Sequence, residues 1–292
     1  MLLRIVSILF PLFAIVALGA FIGRRFRPDL SDANRLNMDV FVPALVFSAM
    51  ASKDFHIAEY GRLLSATFFL IVASGVLGWW VARLTGIAPR TLVPPMMFNN
   101  AGNLGLPLAV LAFGNEALAP AVAMFVMSNL LHFSFGAWLL DHHTRLTNVW
   151  RAPSVLAALA GVVVGLAGVE VWPPLLMAIR MVGDISIPLM LLALGIRLSD
   201  ARIGAIGFGL FGGVLRPVVG MALAWGLLQL FEFPARERAL VLVFGALPPA
   251  VLNYMFAERY RQDPEKVASM VLLGNVVAVV FLPLALALTL NA

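Results

Sequence analysis

Pro94-Pro95-Met96-Met97-Phe98-Asn99-Asn100-Ala101-Gly102-Asn103-Leu104-Gly105-Leu106-Pro107 sets three carboxamides, two glycines and three prolines inside an apolar run. Proline lacks an N–H and pushes the residue before it out of helical geometry, so a helix through this stretch breaks into two halves. Gly245-Ala246-Leu247-Pro248-Pro249-Ala250-Val251-Leu252-Asn253-Tyr254 repeats the pattern far along the chain. In lipid, such broken backbone survives only when it is buried in protein or lines a wet cavity.

The composition makes lipid the solvent. Of 292 residues, 62% are hydrophobic and 12% charged, and the mean hydropathy is +0.97. That is more apolar than one soluble core requires. Apolar runs long enough to cross about 30 Å of hydrocarbon recur at roughly 5–23, 36–51, 61–83, 91–113 and 117–140, then at 152–169, 174–196, 204–231, 237–257 and 266–290. This predicts an all-α membrane protein of about ten transmembrane helices, with the fourth and ninth broken. The polar stretch 141–151 is the one internal linker, so the expected domains are a first five-helix unit over 1–140 and a second over 152–292.

The net charge of +5 and the pI of 10.4 do not imply nucleic acid, because the Arg residues stand singly between apolar runs. They read as topology signals. Across ten spans, thirteen Lys and Arg residues fall on one side, among them Arg24, Arg25, Arg27, Arg197 and Lys266, whereas Arg4, Lys53, Arg62, Arg236 and Arg238 fall on the other. Basic residues in short loops stay cytoplasmic, which places both termini outside the cytoplasm of a multi-pass inner (plasma) membrane protein. The first run, Ile5 to Gly23, has its Arg cluster after it, the reverse of a signal peptide, and is expected to be a mature helix. Cysteine is absent, which rules out disulfides and thiolate metal sites, and neither a metal nor a cofactor is expected.

The two sets of runs match at a fixed offset. Arg90-Thr-Leu-Val pairs with Arg238-Ala-Leu-Val, Ser128-Asn129 with Gly274-Asn275, and Pro43 with Pro188, all at offsets between 145 and 148. Five is odd, so such a repeat inserts upside down relative to its partner, the inverted-repeat plan of many secondary transporters. If the two breaks cross, half-helix N-termini carrying roughly +0.5 charge each converge on one point and suit a carboxylate. Asn99, Asn100, Gly102 and Asn103 of the first break and Pro248, Pro249 and Asn253 of the second are the expected substrate-binding residues, with amides donating to the anion without a full charge in hydrocarbon.

Three ionisable residues inside the runs are candidates for proton or ion coupling. Asp184, in Met181-Val-Gly-Asp184, is either a proton or cation carrier or the partner of Arg180 or Arg216. His132 is either packed or a proton relay. Arg216, before Pro217, either snorkels or holds a substrate carboxylate. Asp39 reads as a cap or interface residue, Glu116 and Glu258 border the broken spans, and His142 and His143 lie in the linker.

Asn100-Ala-Gly-Asn-Leu-Gly105-Leu-Pro107 resembles the first crossover motif of the auxin efflux carrier family, which includes plant auxin exporters and bacterial organic-acid permeases. Leu247-Pro248-Pro249-Ala-Val-Leu-Asn253-Tyr254-Met-Phe-Ala-Glu258-Arg-Tyr260 resembles its second crossover and exit helix, and the likeness extends over essentially the whole chain. The resemblance implies two inverted five-helix repeats. In that plan helices one, two, six and seven form a scaffold, and the crossover-bearing bundle slides against it as an elevator. The long cytoplasmic loop of the plant exporters shrinks here to 141–151, as in a bacterial permease-like member, so phosphorylation control on that loop is not expected.

The function expected from these readings is secondary transport of a small mono- or dicarboxylate, coupled to a proton or driven by membrane potential. A sodium-coupled bile-acid-type carrier of related fold is the alternative, with a channel or receptor behind it. No His-Glu-x-x-His, Gly-x-Ser-x-Gly or paired intramembrane aspartates point to an enzyme. Expected partners are the carboxylate, a coupling proton or sodium ion and the bilayer, with an apolar face on the first, second and seventh spans that permits a homodimer.

Overall fold

A computed structural model describes residues 2–51, 60–142, 150, 152–200 and 204–289. Most of the 141–151 linker, with His143, Arg145 and Arg151, lies outside the described residues, as do Lys53 and Arg202. The described chain is helical: α1 (Leu2–Phe26), α2 (Ser31–Leu36), α3 (Val42–Met50), α4 (Gly61–Thr85), α5 (Pro89–Met97), α6 (Leu106–Phe113), α7 (Leu118–Leu131) and α8 (Ala137–Leu140). The second half holds α9 (Pro153–Leu166), α10 (Pro173–Asp184), α11 (Ser186–Asp200), α12 (Ile206–Leu230), α13 (Ala235–Ala246), α14 (Val251–Arg259) and α15 (Pro264–Thr289). Proline opens α5, α9, α10 and α15, where its missing N–H costs nothing. Gly86, at φ 72°, closes α4 in the left-handed geometry that glycine adopts freely.

Among the described residues, six helical stretches are long and apolar enough to cross a membrane: Leu2–Phe26, Gly61–Thr85, Asn115–Leu140, Pro173–Ser199, Ile206–Leu230 and Pro264–Thr289. The protein is therefore an all-α membrane protein. Ala101–Phe113 and Pro153–Leu166 are shorter apolar helices. Large apolar side chains such as Phe10, Trp80, Met181 and Val280 project outward, as a lipid-facing surface requires.

Packing sorts the helices into two groups. α1 lies chiefly along α11, and α3 lies against α9 and α10. α4 packs on α5, α7 and α12, and α12 packs on α13 and α15. Lipid supplies no hydrophobic drive between helices, so close approach through small residues does that work. A Cβ on Gly19 of α1 would overlap the Leu192 carbonyl of α11, and one on Gly195 would overlap the Val16 carbonyl in return. Gly209 and Gly213 of α12 meet Ser269 and Gly274 of α15 in the same way. α4 and α12 are each 25 residues long, and Gly75 and Trp80 of α4 recur 145 positions on as Gly220 and Trp225 of α12.

Both proline-rich spans are interrupted, between α5 and the turn at Ala101 and between α13 and α14. The prolines act differently in the two. Pro248 and Pro249 sit in the second break itself, whereas Pro94 and Pro95 lie inside α5 and the chain leaves the helix only at Phe98, whose N–H still bonds the Pro94 carbonyl.

Candidate functional site at the crossing of two broken helices

The two breaks run antiparallel across each other. Asn99 and Pro249 form the one isolated bridge among the described residues. The Asn100 N–H donates to the Pro248 carbonyl at 2.8 Å, and the Ala250 N–H donates to the Phe98 carbonyl at 3.0 Å. These extended residues have lost their helical partners, and each break satisfies the other.

Asparagines lock the crossing. Asn100 Nδ2 donates to Asn275 Oδ1 at 2.9 Å, and Asn275 Nδ2 donates to the Val271 carbonyl at 2.7 Å and the Pro249 carbonyl at 3.3 Å. Asn253 Nδ2 donates to the Phe98 carbonyl at 2.8 Å and the Ala250 carbonyl at 3.0 Å. Because carbonyls only accept, these partners fix which amide atom is nitrogen. The last turn of α13 has orphan carbonyls of its own. Asn99 Nδ2 reaches Phe244 O at 2.6 Å, and the Arg216 guanidinium, 1% exposed, reaches Gly245 O at 3.1 Å. A buried cation at a helix C-terminus meets the negative end of the dipole, which compensates part of its desolvation.

Beyond the crossing, two half-helices begin. The first N–H groups bonded within the turn after Ala101 are those of Leu104 and Gly105, both to Asn100 O, which leaves the N–H groups of Ala101, Gly102 and Asn103 without backbone acceptors among the described residues. In α14 the first bonded N–H is that of Asn253, which leaves Val251 and Leu252 likewise without backbone acceptors there. Ala101 to Asn103 and Ala250 to Leu252 all line one cavity of about 420 Å³, a size suited to a small ligand.

Three wide, π-type turns also border this cavity: Asn37–Phe41 through Asn37 and Met38, Ala101–Gly105 through Ala101, Gly102 and Asn103, and His132–Gly136 through His132 and Phe133. Such turns tilt side chains off the regular helical spacing and recur at functional sites. His132 is buried and stacks on Phe98, ring centroids 4.0 Å apart and planes 7° off parallel. Its Nε2, like Asn253 Oδ1 and Asn99 Oδ1, is buried without a well-formed hydrogen bond among the described residues.

Of the residues predicted to bind substrate, Asn99, Asn100, Gly102 and Asn103 line the cavity, as does His132. Pro248, Pro249 and Asn253 hold the crossing from behind and do not reach the wall. Arg216 caps α13 outside the cavity. Asp184 ends α10 on the exposed surface, forming no ion pair with Arg180 or Arg216; its neighbour Gly183 instead faces inward against the backbone of Leu45. Asp39 forms an exposed pair with Arg35 at 3.7 Å, Glu116 pairs with Arg236, and Glu258 accepts from the Tyr254 hydroxyl at 3.3 Å. The sequence reading missed Asn34, Asn37, Ser128, Asn129, Ser154 and Arg197, which line the cavity from five different helical segments. Asn129 had one signal, its match to Asn275, which the structure places in the crossing network.

Residues 143–286 match the family described as membrane transport protein. An uncharacterized transporter of Methanocaldococcus jannaschii is 23% identical over 257 residues, covering 81% of this chain and 82% of its own length. An uncharacterized transporter of Methanothermobacter thermautotrophicus is 25% identical over 273 residues, covering 88% of each chain. The crossed, interrupted helices and these likenesses together make the chain a multi-pass membrane transporter whose residues 143–286 resemble the membrane transport protein family.

Proposed function

We propose that this protein is a secondary transporter of a small organic anion, a mono- or dicarboxylate, bound where the two broken helices cross. The observation that carries this reading is the convergence of two half-helix N-termini, at Ala101 and Val251, on one cavity also lined by the amides of Asn99, Asn100, Asn103 and Asn129. Unpaired N–H groups at a helix start attract negative charge and satisfy carboxylate oxygens. His132, inside the same cavity wall, is the candidate proton carrier.

The wider architecture in this proposal is two inverted five-helix repeats, 1–140 and 152–292, with both termini outside the cytoplasm. The equal lengths of α4 and α12 support the repeat, as do the matches of Gly75 and Trp80 to Gly220 and Trp225. The group of α1, α3, α9, α10 and α11 serves as the scaffold, and the crossover group moves against it.

Uptake of labelled short carboxylates into proteoliposomes tests the function. Saturable uptake by the native protein, strongly reduced in Asn103→Ala and Asn100→Ala, is the expected result. Uptake that is unchanged in both variants removes the assigned site, and uptake that collapses when sodium is replaced by potassium selects the sodium-coupled alternative.

A further inference from the structure

The crossover cavity does not end at the crossing. A second cavity of about 630 Å³ adjoins it, and the two share Leu194, Arg197, Val251 and Met255. The second is walled by the last turns of α11, by α14 and by the start of α15, and it carries Glu258 and Glu265. Arg197 is the only Lys or Arg among the described residues lining either space, and it stands at the neck between them.

Its guanidinium forms no hydrogen bond or ion pair among the described residues, although two carboxylates line the same second cavity. A partly buried arginine left without a partner is costly, whereas its planar fork fits a carboxylate through two parallel hydrogen bonds. Deeper in, the cavity offers only partial charges, from helix N-termini and neutral amides. These suit a bound ligand, but none of them attracts an anion from a distance as a full charge does.

We propose that Arg197 is the charge-selecting residue of the transport path, an anion station at the neck that takes the substrate carboxylate from the second cavity and passes it to the half-helix N-termini. The proposal rests on the organic-anion reading above and adds to it where the preference for a charged over a neutral substrate is set. Glu258 and Glu265 line the same second cavity, so Arg197 is the one lining side chain there that offers an anion opposite charge.

The test is transport by the full-length protein in proteoliposomes, using acetate, benzoate, malonate and succinate and their primary amides, at low and high ionic strength. Arg197→Gln is expected to raise the half-saturating concentration of the transported acid by about tenfold or more while leaving the maximal rate within about twofold, because steering and capture are lost and translocation is not. It is also expected to flatten the dependence on salt, and Arg197→Lys to keep that dependence, which a merely structural role would not predict. An unchanged half-saturation and salt dependence in Arg197→Gln overturns the proposal and leaves the transporter reading standing. No saturable uptake of any acid by the native protein overturns both. Should Arg197→Gln fail to fold, the native protein decides: equal transport of an acid and its amide overturns the charge-selecting role.

Discussion

Gly220 and Asn100 show how single positions hold the crossing in two different ways. A Cβ on Gly220 of α12 would overlap the Gly245 carbonyl and the Arg216 guanidinium, and a Cβ on Gly245 would overlap the Gly220 carbonyl in turn. Neither obstacle is the loose end of a flexible chain, since one is backbone and the other is already hydrogen-bonded to Gly245. Gly220→Ala is thus expected to lose about 1–3 kcal/mol, the usual cost of overpacking, visible as a lowered thermal midpoint in detergent. Asn100→Ala acts through polarity. It strands the buried Oδ1 of Asn275, which accepts from Asn100 at 2.9 Å, at a cost of about 1–3 kcal/mol. Asn100→Asp keeps the shape but turns oxygen against oxygen, and is expected to be less stable than Asn100→Ala above the carboxylate's pKa; a variant as stable as the native protein would remove Asn100 from the lock.

Between elements, the turn from α14 to α15 is tied back to the start of the first broken span. Thr91 Oγ1 of α5 donates to Asp263 Oδ2 at 2.9 Å, and Lys266 approaches the same oxygen at 3.2 Å. The Thr91 hydroxyl first, and Lys266 second, hold the Asp263 carboxyl below its ordinary range. A carboxylate with a depressed folded pKa contributes stability above its unfolded pKa and loses it as pH falls through the folded one. The stability difference between native protein and Thr91→Val is therefore expected to be present at neutral pH and to shrink below about pH 4, read by thermal melts across pH; a difference that persists unchanged in acid contradicts the tie. It is small, because the group is half exposed. Elements of this kind mark the limit of what the sequence discloses. The breaks were legible because proline and asparagine are out of place in an apolar run and no helix hides them. Asn34, Asn37, Ser154 and Arg197 sit at the ends of four segments that meet only through the packing of α1 on α11 and α3 on α9, and nothing local distinguishes them from ordinary loop polarity. Asp184 drew attention as a carboxylate in an apolar run, yet one residue of helical rotation separates its exposed position from buried Gly183, a distinction that hydropathy averaging erases.

At the scale of the whole molecule, the cavity sits where the two packing groups face each other. Leu194 and Arg197 come from α11, packed with α1, while Asn99 to Asn103, Ala250 to Leu252 and Met255 come from the crossover group packed on α12 and α15. In the function proposed above, a substrate held between the two groups is exposed to one side or the other according to their relative position, which would be alternating access without any rearrangement of the crossing itself. The many interlocks inside the crossover group, from Asn275 to Arg216, favour motion of the group as a unit. The chain contains no cysteine, so an introduced pair reports without background. Leu194→Cys with Met255→Cys places one thiol on α11 and one on α14 at the shared neck. Joining them with a short bifunctional thiol reagent is expected to arrest uptake by comparison with the untreated double variant, while carboxylate binding, followed by thermal shift, persists, and a cleavable reagent is expected to restore uptake on reduction. A pair in which both cysteines lie on α12 and α15, inside one group, should cross-link with little effect. Undiminished uptake with the Leu194–Met255 link in place would mean that the two groups do not slide, and the transport step would then have to lie in local opening at the neck.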